Sequence, residues 1–227
     1  MAGHSGPRQL AFALDHAVSF AREDFLAGPS NAMALALIES WPDWPARAVI
    51  LTGPEGSGKS HLAAIWAGEA GARFLAGRAL ADTAPPAALV TGALVVEDLA
   101  EGQFQERALF HLLNLAREEE ASLLLTARSA PAGWKFDTRD LASRLKALPL
   151  VALAPPDDAL LRAVLVKHFA DRQVMVDEAL IGYLATRIER SFAGARTVVE
   201  VLDREAMHQK RPLTRAFAAD FLRAHEP

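Results

Sequence analysis

An α/β fold, with a parallel five-stranded sheet sandwiched by helices and a small helical domain behind it, is what three features of the sequence predict. The first is an alternation of short apolar runs with helix-period stretches over residues 48–153. Such runs suit strands buried on both faces, which occur in parallel sheets whose crossovers are helices. The second is the glycine-rich turn Gly53-Pro54-Glu55-Gly56-Ser57-Gly58-Lys59-Ser60, set between the first run and a helix. The third is the change after Pro155-Pro156, beyond which only helical periodicity continues.

The elements follow in chain order. Residues 1–19 are expected to be a flexible leader: residues 1–8 hold two glycines and a proline without apolar period, and Gln9-Leu10-Ala11-Phe12-Ala13-Leu14 is an isolated apolar patch. Residues 20–154 are expected to form the α/β domain. Ala32 to Trp41 reads as a helix capped by Ser30 or Asn31 and ended by Pro42 and Pro45. Strands are predicted at Ala48–Leu51, Arg73–Leu75, Ala93–Val96, Ser122–Thr126 and Leu148–Leu153. Helices are predicted at Lys59–Ala70 and Gln103–Glu119, with a short one around Leu141–Leu145. The second of these carries Leu109, Leu112, Leu113 and Ala116 on one face. Residues 155–227 form the helical domain, with helices over 157–171, 177–190, 195–209 and 214–224. A unit of that size buries too little core alone and should lean on its neighbour. Trp41 and Trp44 are expected to anchor the first helix, and Glu118-Glu119-Glu120 to be a solvated helix end.

Composition narrows the chemistry. With 51% hydrophobic and 23% charged residues the chain is not a disordered one. A net charge of −4 argues against broad coating of nucleic acid, which needs a basic surface. The absence of cysteine excludes disulfides, thiolate nucleophiles and cysteine-ligated zinc. His4, His16, His61, His111, His168, His208 and His225 form no metal-ligand pair. No apolar run approaches the roughly 20 residues of a membrane span, and a cytoplasmic location is expected.

The turn matches G-x-x-x-x-G-K-[ST] at every position, with a strand before it and a helix after it. Its glycines let backbone N–H groups close around a phosphate, and the helix N-terminus adds partial positive charge. Lys59 should reach the β- and γ-phosphates and Ser60 should ligate Mg²⁺, with His61 next in the helix. The strand Ala93–Val96 runs into Glu97-Asp98, and paired carboxylates there suit Mg²⁺ held through water by Glu97 and an attacking water oriented by Asp98. Acidic residues also close strands as plain turn residues. Thr126 ends the next strand at the carboxyl edge of the sheet, either contacting a γ-phosphate or water or simply capping the strand. Arg144 and Arg196 suit transferring phosphates by charge and shape, yet on composition alone each is more often a surface ion-pair partner.

Taken together, these segments resemble the AAA+ module of the bacterial replication initiator DnaA, and are similar above all to the DnaA-related regulators of the Hda (HdaA) type. The resemblance runs from about Phe20 to Ala224. Phe20, Phe25 and Gly28-Pro29-Ser30-Asn31 resemble the family's leading segment, whose residues line the adenine pocket. Gly53 to Ser60 is its phosphate loop, and Thr126-Ala-Arg-Ser-Ala-Pro131 looks like its first sensor strand. Asp140-Leu-Ala-Ser-Arg144-Leu is similar to its arginine-finger segment, and Gly194-Ala195-Arg196 falls at its second sensor. Glu97 stands where the family usually has aspartate, and Ala127-Arg128 where the initiator has Ser-Asp.

The resemblance implies an AAA+ fold with a helical lid and bound ADP or ATP with Mg²⁺. Further, it implies a regulatory role in replication initiation, while the order Glu97 then Asp98, with the shorter carboxylate toward the water, points to weak hydrolysis by the chain itself. The partners would be the initiator DnaA, whose ATP hydrolysis is stimulated by Arg144, and the DNA-loaded sliding clamp. Gln9, Leu10, Phe12 and Leu14 resemble the clamp-binding peptide of these regulators, although Phe12 and Ala13 replace its frequent leucine and proline. The regulators lack the initiator's helix-turn-helix domain, and a chain stopping at Pro227 has the same layout. No sequence-specific DNA binding and no membrane contact are expected, and a homo-oligomer is compatible. Rival readings are a self-contained AAA+ ATPase such as a helicase loader or DNA-remodelling factor, a small P-loop kinase, and a scaffold that binds nucleotide for stability.

Overall fold

Five apolar runs become five parallel strands in the computed structural model, which describes residues 20–81 and 83–224. They are β1 (Ala48–Thr52), β2 (Arg73–Ala76), β3 (Ala93–Leu99), β4 (Ser122–Ala127) and β5 (Leu150–Ala152), in the spatial order β2-β3-β4-β1-β5. Successive side chains of a strand leave opposite faces of the sheet. Ile50, Leu94, Val96, Leu123 and Leu125 therefore enter one core, and Val49, Leu51, Val95 and Leu124 the other. The first core is closed by α3 (Pro85–Ala88), α4 (Glu106–Glu118) and α5 (Arg139–Ala147). The second is closed by α1 (Ala32–Glu39) and α2 (Lys59–Ala70). Trp66 of α2 is fully buried there, stacked on Trp44 at 4.8 Å and met edge-on by Trp41 at 6.4 Å.

The helical unit comprises α6 (Asp158–Asp171), α7 (Glu178–Ala185), α8 (Phe192–Gln209) and α9 (Arg215–Ala224). It has its own core, built on Leu161, Leu165, Phe169, Leu180, Leu184, Val199, Leu202 and Phe217. All four of its helices start on a side-chain acceptor that satisfies an otherwise unmet N–H, Thr214 accepting from Phe217 N at 3.2 Å before α9. Asp157 accepts from Leu160 N at 2.8 Å, Asp177 from Leu180 N at 2.8 Å, and Ser191 from Gly194 N at 2.9 Å.

Residues 20–31 join the two units. Phe25 is buried in the α1/α2 core, whereas Leu26 packs on the core of the helical unit. Asp24 pairs with Lys167 of α6 at 2.7 Å. A Cβ on Gly28 would lie 2.9 Å from Leu160 Cδ2, so the chain passes against α6 with no room for a side chain.

Several local expectations differ from the fold. Asn31 precedes α1 without capping it. Its Oδ1 instead accepts from Gly28 N at 2.8 Å and its Nδ2 donates to Leu26 O at 3.0 Å, tying the joining segment into a turn. The α7 helix stops at Ala185 rather than near residue 190, and α8 starts at Phe192, three residues before the expected Ala195, because Ser191 is the cap. Glu118, Glu119 and Glu120 are exposed as expected, and Glu120 also accepts from Arg47 at 3.3 Å. Among the described residues no helix is long and apolar enough to cross a membrane.

Candidate nucleotide-binding site

The phosphate loop leaves the buried central strand β1 at the carboxyl edge of the sheet, the edge at which ligands of open parallel sheets sit. Gly56 has φ +70° and Gly58, which caps α2, φ +97°, conformations that a side chain disfavours. Lys59 is 7% exposed. Its Nζ donates to the carbonyls of Gly53 and Pro54, both at 2.8 Å. Burial pulls its pKa below the ordinary lysine value, and the nearby charge of Arg128 adds to this; Asp98, Glu55 and Glu97 oppose it. An ammonium group so desolvated, beside backbone amides of a helix start, is a ready partner for polyphosphate. Ser60, on the first turn of α2, is exposed at the same mouth, while Ser57 is buried under the loop.

Strand β3 runs past the expected Val96 to Leu99 and bulges on the way. Val96 pairs with Leu125 but Leu99 with Ala127, so β3 holds one extra residue. Asp98 takes φ +54°, which aspartate tolerates better than most residues. The bulge turns Glu97 and Asp98 out of the plain alternation of the strand. Asp98 N–H donates to Thr126 Oγ1 at 3.1 Å, and Thr126 is 1% exposed. Glu97 Oε1 is buried with no hydrogen-bond partner. An unpartnered carboxylate oxygen beside Lys59 and Asp98 fits a hydrated divalent cation, so the donor set suits Mg²⁺ with a nucleotide. Lys59, Glu97, Asp98 and Thr126 are thus brought together.

The far end of the loop meets two aromatic walls and the helical unit. A Cβ on Gly58 would lie 3.4 Å from the Phe192 ring and 3.5 Å from that of Phe25. His61 meets Phe25 edge-on at 5.2 Å and Phe20 at 5.4 Å, and its Nε2 is 3.0 Å from Ala21 O. His61 therefore binds the joining segment to the helix that carries the loop. Phe192 N–H donates to Gly56 O at 2.8 Å, and a Cβ on Gly56 would meet Ala193 Cβ at 2.9 Å and Ser191 Cβ at 3.0 Å. The start of α8 is thus docked directly on the phosphate loop. The sequence reading missed Ser191, Phe192 and Ala193; the detectable signal was the capping serine three residues before Gly194.

Among the described residues neither Arg144 nor Arg196 forms an ion pair with this cluster. Arg196 sits one turn beyond Phe192, its Nε 3.9 Å from Glu200 Oε1, a carboxylate it shares with Arg172. Arg144 lies on α5, its guanidinium carbon 4.6 Å from the centre of the Phe110 ring on α4. Arg128, just past β4, pairs with Glu55 of the loop at 2.8 Å, a contact that no sequence pattern announced. Gln9, Leu10, Phe12 and Leu14 lie outside the described residues.

No family model matches the chain. A chromosomal replication initiator protein DnaA from Caulobacter sp. (strain K31) is 28% identical over 237 residues, covering 91% of this chain and 49% of the relative. The chain thus spans about half the length of the curated relative it matches. Domain III of the Thermotoga maritima replication initiation protein DnaA superposes with a TM-score of 0.76 at 14% identity, covering 90% of this chain and 96% of that one. AMPPCP-bound DnaA from Aquifex aeolicus gives 0.69 at 15% identity, with 81% and 65% covered. The Thermotoga maritima RuvB Holliday junction branch migration motor gives 0.70 at 17% identity, with 91% and 72% covered. These likenesses show an AAA+ fold.

Proposed function

We propose that this chain, which is 28% identical to a DnaA over 91% of its length, binds ADP or ATP with Mg²⁺ and regulates replication initiation by stimulating ATP hydrolysis on the initiator DnaA at the DNA-loaded sliding clamp. Lys59 and the loop amides from Gly53 to Ser60 hold the phosphates, with Ser60 and Glu97 toward the metal. Phe25 and His61 shape the adenine side, and Arg196 approaches from the lid. Bound Mg²⁺ neutralises charge on the phosphates. Asp98, held through its N–H by Thr126, orients water at the same edge. Since Glu97 and Asp98 sit on a bulge rather than a straight strand end, hydrolysis by the chain itself is expected to be slow.

The observation that carries the regulatory reading is the position of Arg144. It belongs to the C-terminal half of α5, which leads into β5, so it lies toward the sheet edge opposite the phosphate loop. The Phe110 ring supports the planar guanidinium, which confines a long side chain to one orientation. An arginine held away from its own phosphate loop is suited to a nucleotide on a neighbouring molecule. There it offsets charge on the departing phosphoryl group, a contribution of about 10³–10⁵ in rate where arginines act in trans. Gln9, Leu10, Phe12 and Leu14 supply the clamp contact in this reading.

The test is hydrolysis of ATP by DnaA with clamp on DNA, comparing the wild-type chain, Arg144→Ala and a form lacking residues 9–14. Both variants should lose stimulation while retaining adenine-nucleotide binding. Undiminished stimulation by Arg144→Ala removes the arginine assignment. A self-contained AAA+ ATPase is the second reading, favoured by the assembled Lys59, Glu97, Asp98 and Thr126; it requires robust turnover without initiator or clamp.

A further inference from the structure

The outer end of the helical unit gathers positive charge that the site above does not use. Arg187 follows α7, Lys210 and Arg211 follow α8, and Arg215 opens α9; all four are exposed. Among the described residues none of the four enters an ion pair, whereas Arg190 is neutralised by Asp158 and Arg223 by Asp220. Aromatic rings hold three of them in place. Arg187 lies 4.0 Å and Arg215 5.7 Å from the centre of the Tyr183 ring, and Arg211 lies 5.2 Å from that of Phe217.

Two like charges on one ring repel one another in the absence of a polyanion, and Lys210 and Arg211 add two more where α8 gives way to α9. Folding keeps them there without supplying a carboxylate, in a chain whose net charge is −4. The arrangement is therefore local rather than a by-product of composition. We propose that this face binds the phosphate backbone of duplex DNA without regard to sequence. Guanidinium groups match phosphate oxygens in shape and charge, and stacking on Tyr183 and Phe217 reduces the side-chain freedom lost on contact. The Tyr183 ring is engaged by two cations, so it serves to hold them rather than to stack a base, which favours backbone contact over base readout.

Lys210 and Arg211 lie at the opposite end of α8 from Phe192 and the phosphate loop, roughly 27 Å along the helix, whereas Arg187 lies in the turn that leads into α8. A protein working beside a DNA-loaded clamp would gain a weak, sequence-blind hold on the DNA, but the test needs neither clamp, initiator nor nucleotide. Its failure is thus separable from failure of the regulatory reading.

Fluorescence anisotropy of the full chain with a labelled duplex of arbitrary sequence, titrated from about 50 to 200 mM salt, reads the contact. The triple variant Arg187→Ala, Arg211→Ala, Arg215→Ala should bind at least about tenfold more weakly at low salt, with a salt slope shallower by about 2.7, or 0.9 for each phosphate contact removed. The corresponding triple lysine variant should keep the wild-type slope, and both should retain the wild-type circular dichroism. The proposal is overturned if the wild-type chain does not bind the duplex at low salt, if the alanine variant keeps the wild-type slope, or if the lysine variant loses as much as the alanine variant. It is overturned equally if an acidic polypeptide of matched charge competes as well as DNA, since the face would then be a protein-docking surface.

Discussion

A single methyl group at Gly56 measures how tightly the helical unit is locked to the phosphate loop. Gly56→Ala places a side chain on a residue with φ +70°, which costs about 1–2 kcal/mol for the left-handed backbone. It also forces contacts of 2.9 Å on Ala193 Cβ and 3.0 Å on Ser191 Cβ, both inside normal carbon separation. Overpacking of this kind costs about a further 1–3 kcal/mol. Part of it can be relieved only by lifting α8, which breaks the Phe192 N–H bond to Gly56 O and forfeits about 0.5–1.5 kcal/mol. Gly71, at the end of α2, supplies the control: its φ is +64°, but a Cβ there has nothing within 4 Å. Gly71→Ala should therefore carry the backbone cost alone. Denaturant unfolding of both variants, with unchanged slopes, should show Gly56→Ala less stable than Gly71→Ala by about 1–3 kcal/mol. In a chain of this size that is about 2–4 °C in Tm for each kcal/mol. Equal destabilisation by the two substitutions would refute direct docking of α8 on the loop.

Four further outcomes are expected. Lys59→Met should abolish heat of binding of adenine nucleotide in calorimetry. Because burial sets the folded pKa of Lys59 below its unfolded value, the unfolded chain holds more protons between the two, and the wild type should gain stability relative to Lys59→Met as pH rises through that window. Burial, reinforced by Arg172, likewise lowers the pKa of His168 from 6.5, so the wild type should lose stability relative to His168→Asn as pH falls below that ordinary value, read from denaturant midpoints. Thr126→Val removes the acceptor of the Asp98 N–H, so steady-state ATPase of the chain should fall about tenfold or more through misplacement of the carboxylate, with nucleotide affinity kept.

How much was legible depended on whether the controlling physics was local. Apolar runs such as Ala93–Val96 identify themselves as buried strands because both faces must be apolar, and the loop from Gly53 to Ser60 identifies itself because glycine is needed wherever amides close on phosphate. Asp157, Asp177 and Ser191 cap helices through bonds to residues three positions on, so their signal is short-range. Asn31 misleads for a related reason: the same side chain can bond backward, and here the joining segment captured it. Nothing local marks the extra residue in β3, since a bulge is decided by pairing with β4.

The residues themselves determined the strand and helix types, the phosphate loop and the change from an α/β unit to a helical one, because each follows from backbone geometry and apolar period over a few neighbours. Only the tertiary structure decided that Phe192 bonds to Gly56, that Glu97 keeps an unpartnered buried oxygen, that Arg128 reaches Glu55, and that Arg187 and Arg215 meet on Tyr183. Those contacts join positions distant in the chain, and their partners are set by how whole elements pack rather than by any pattern within one of them.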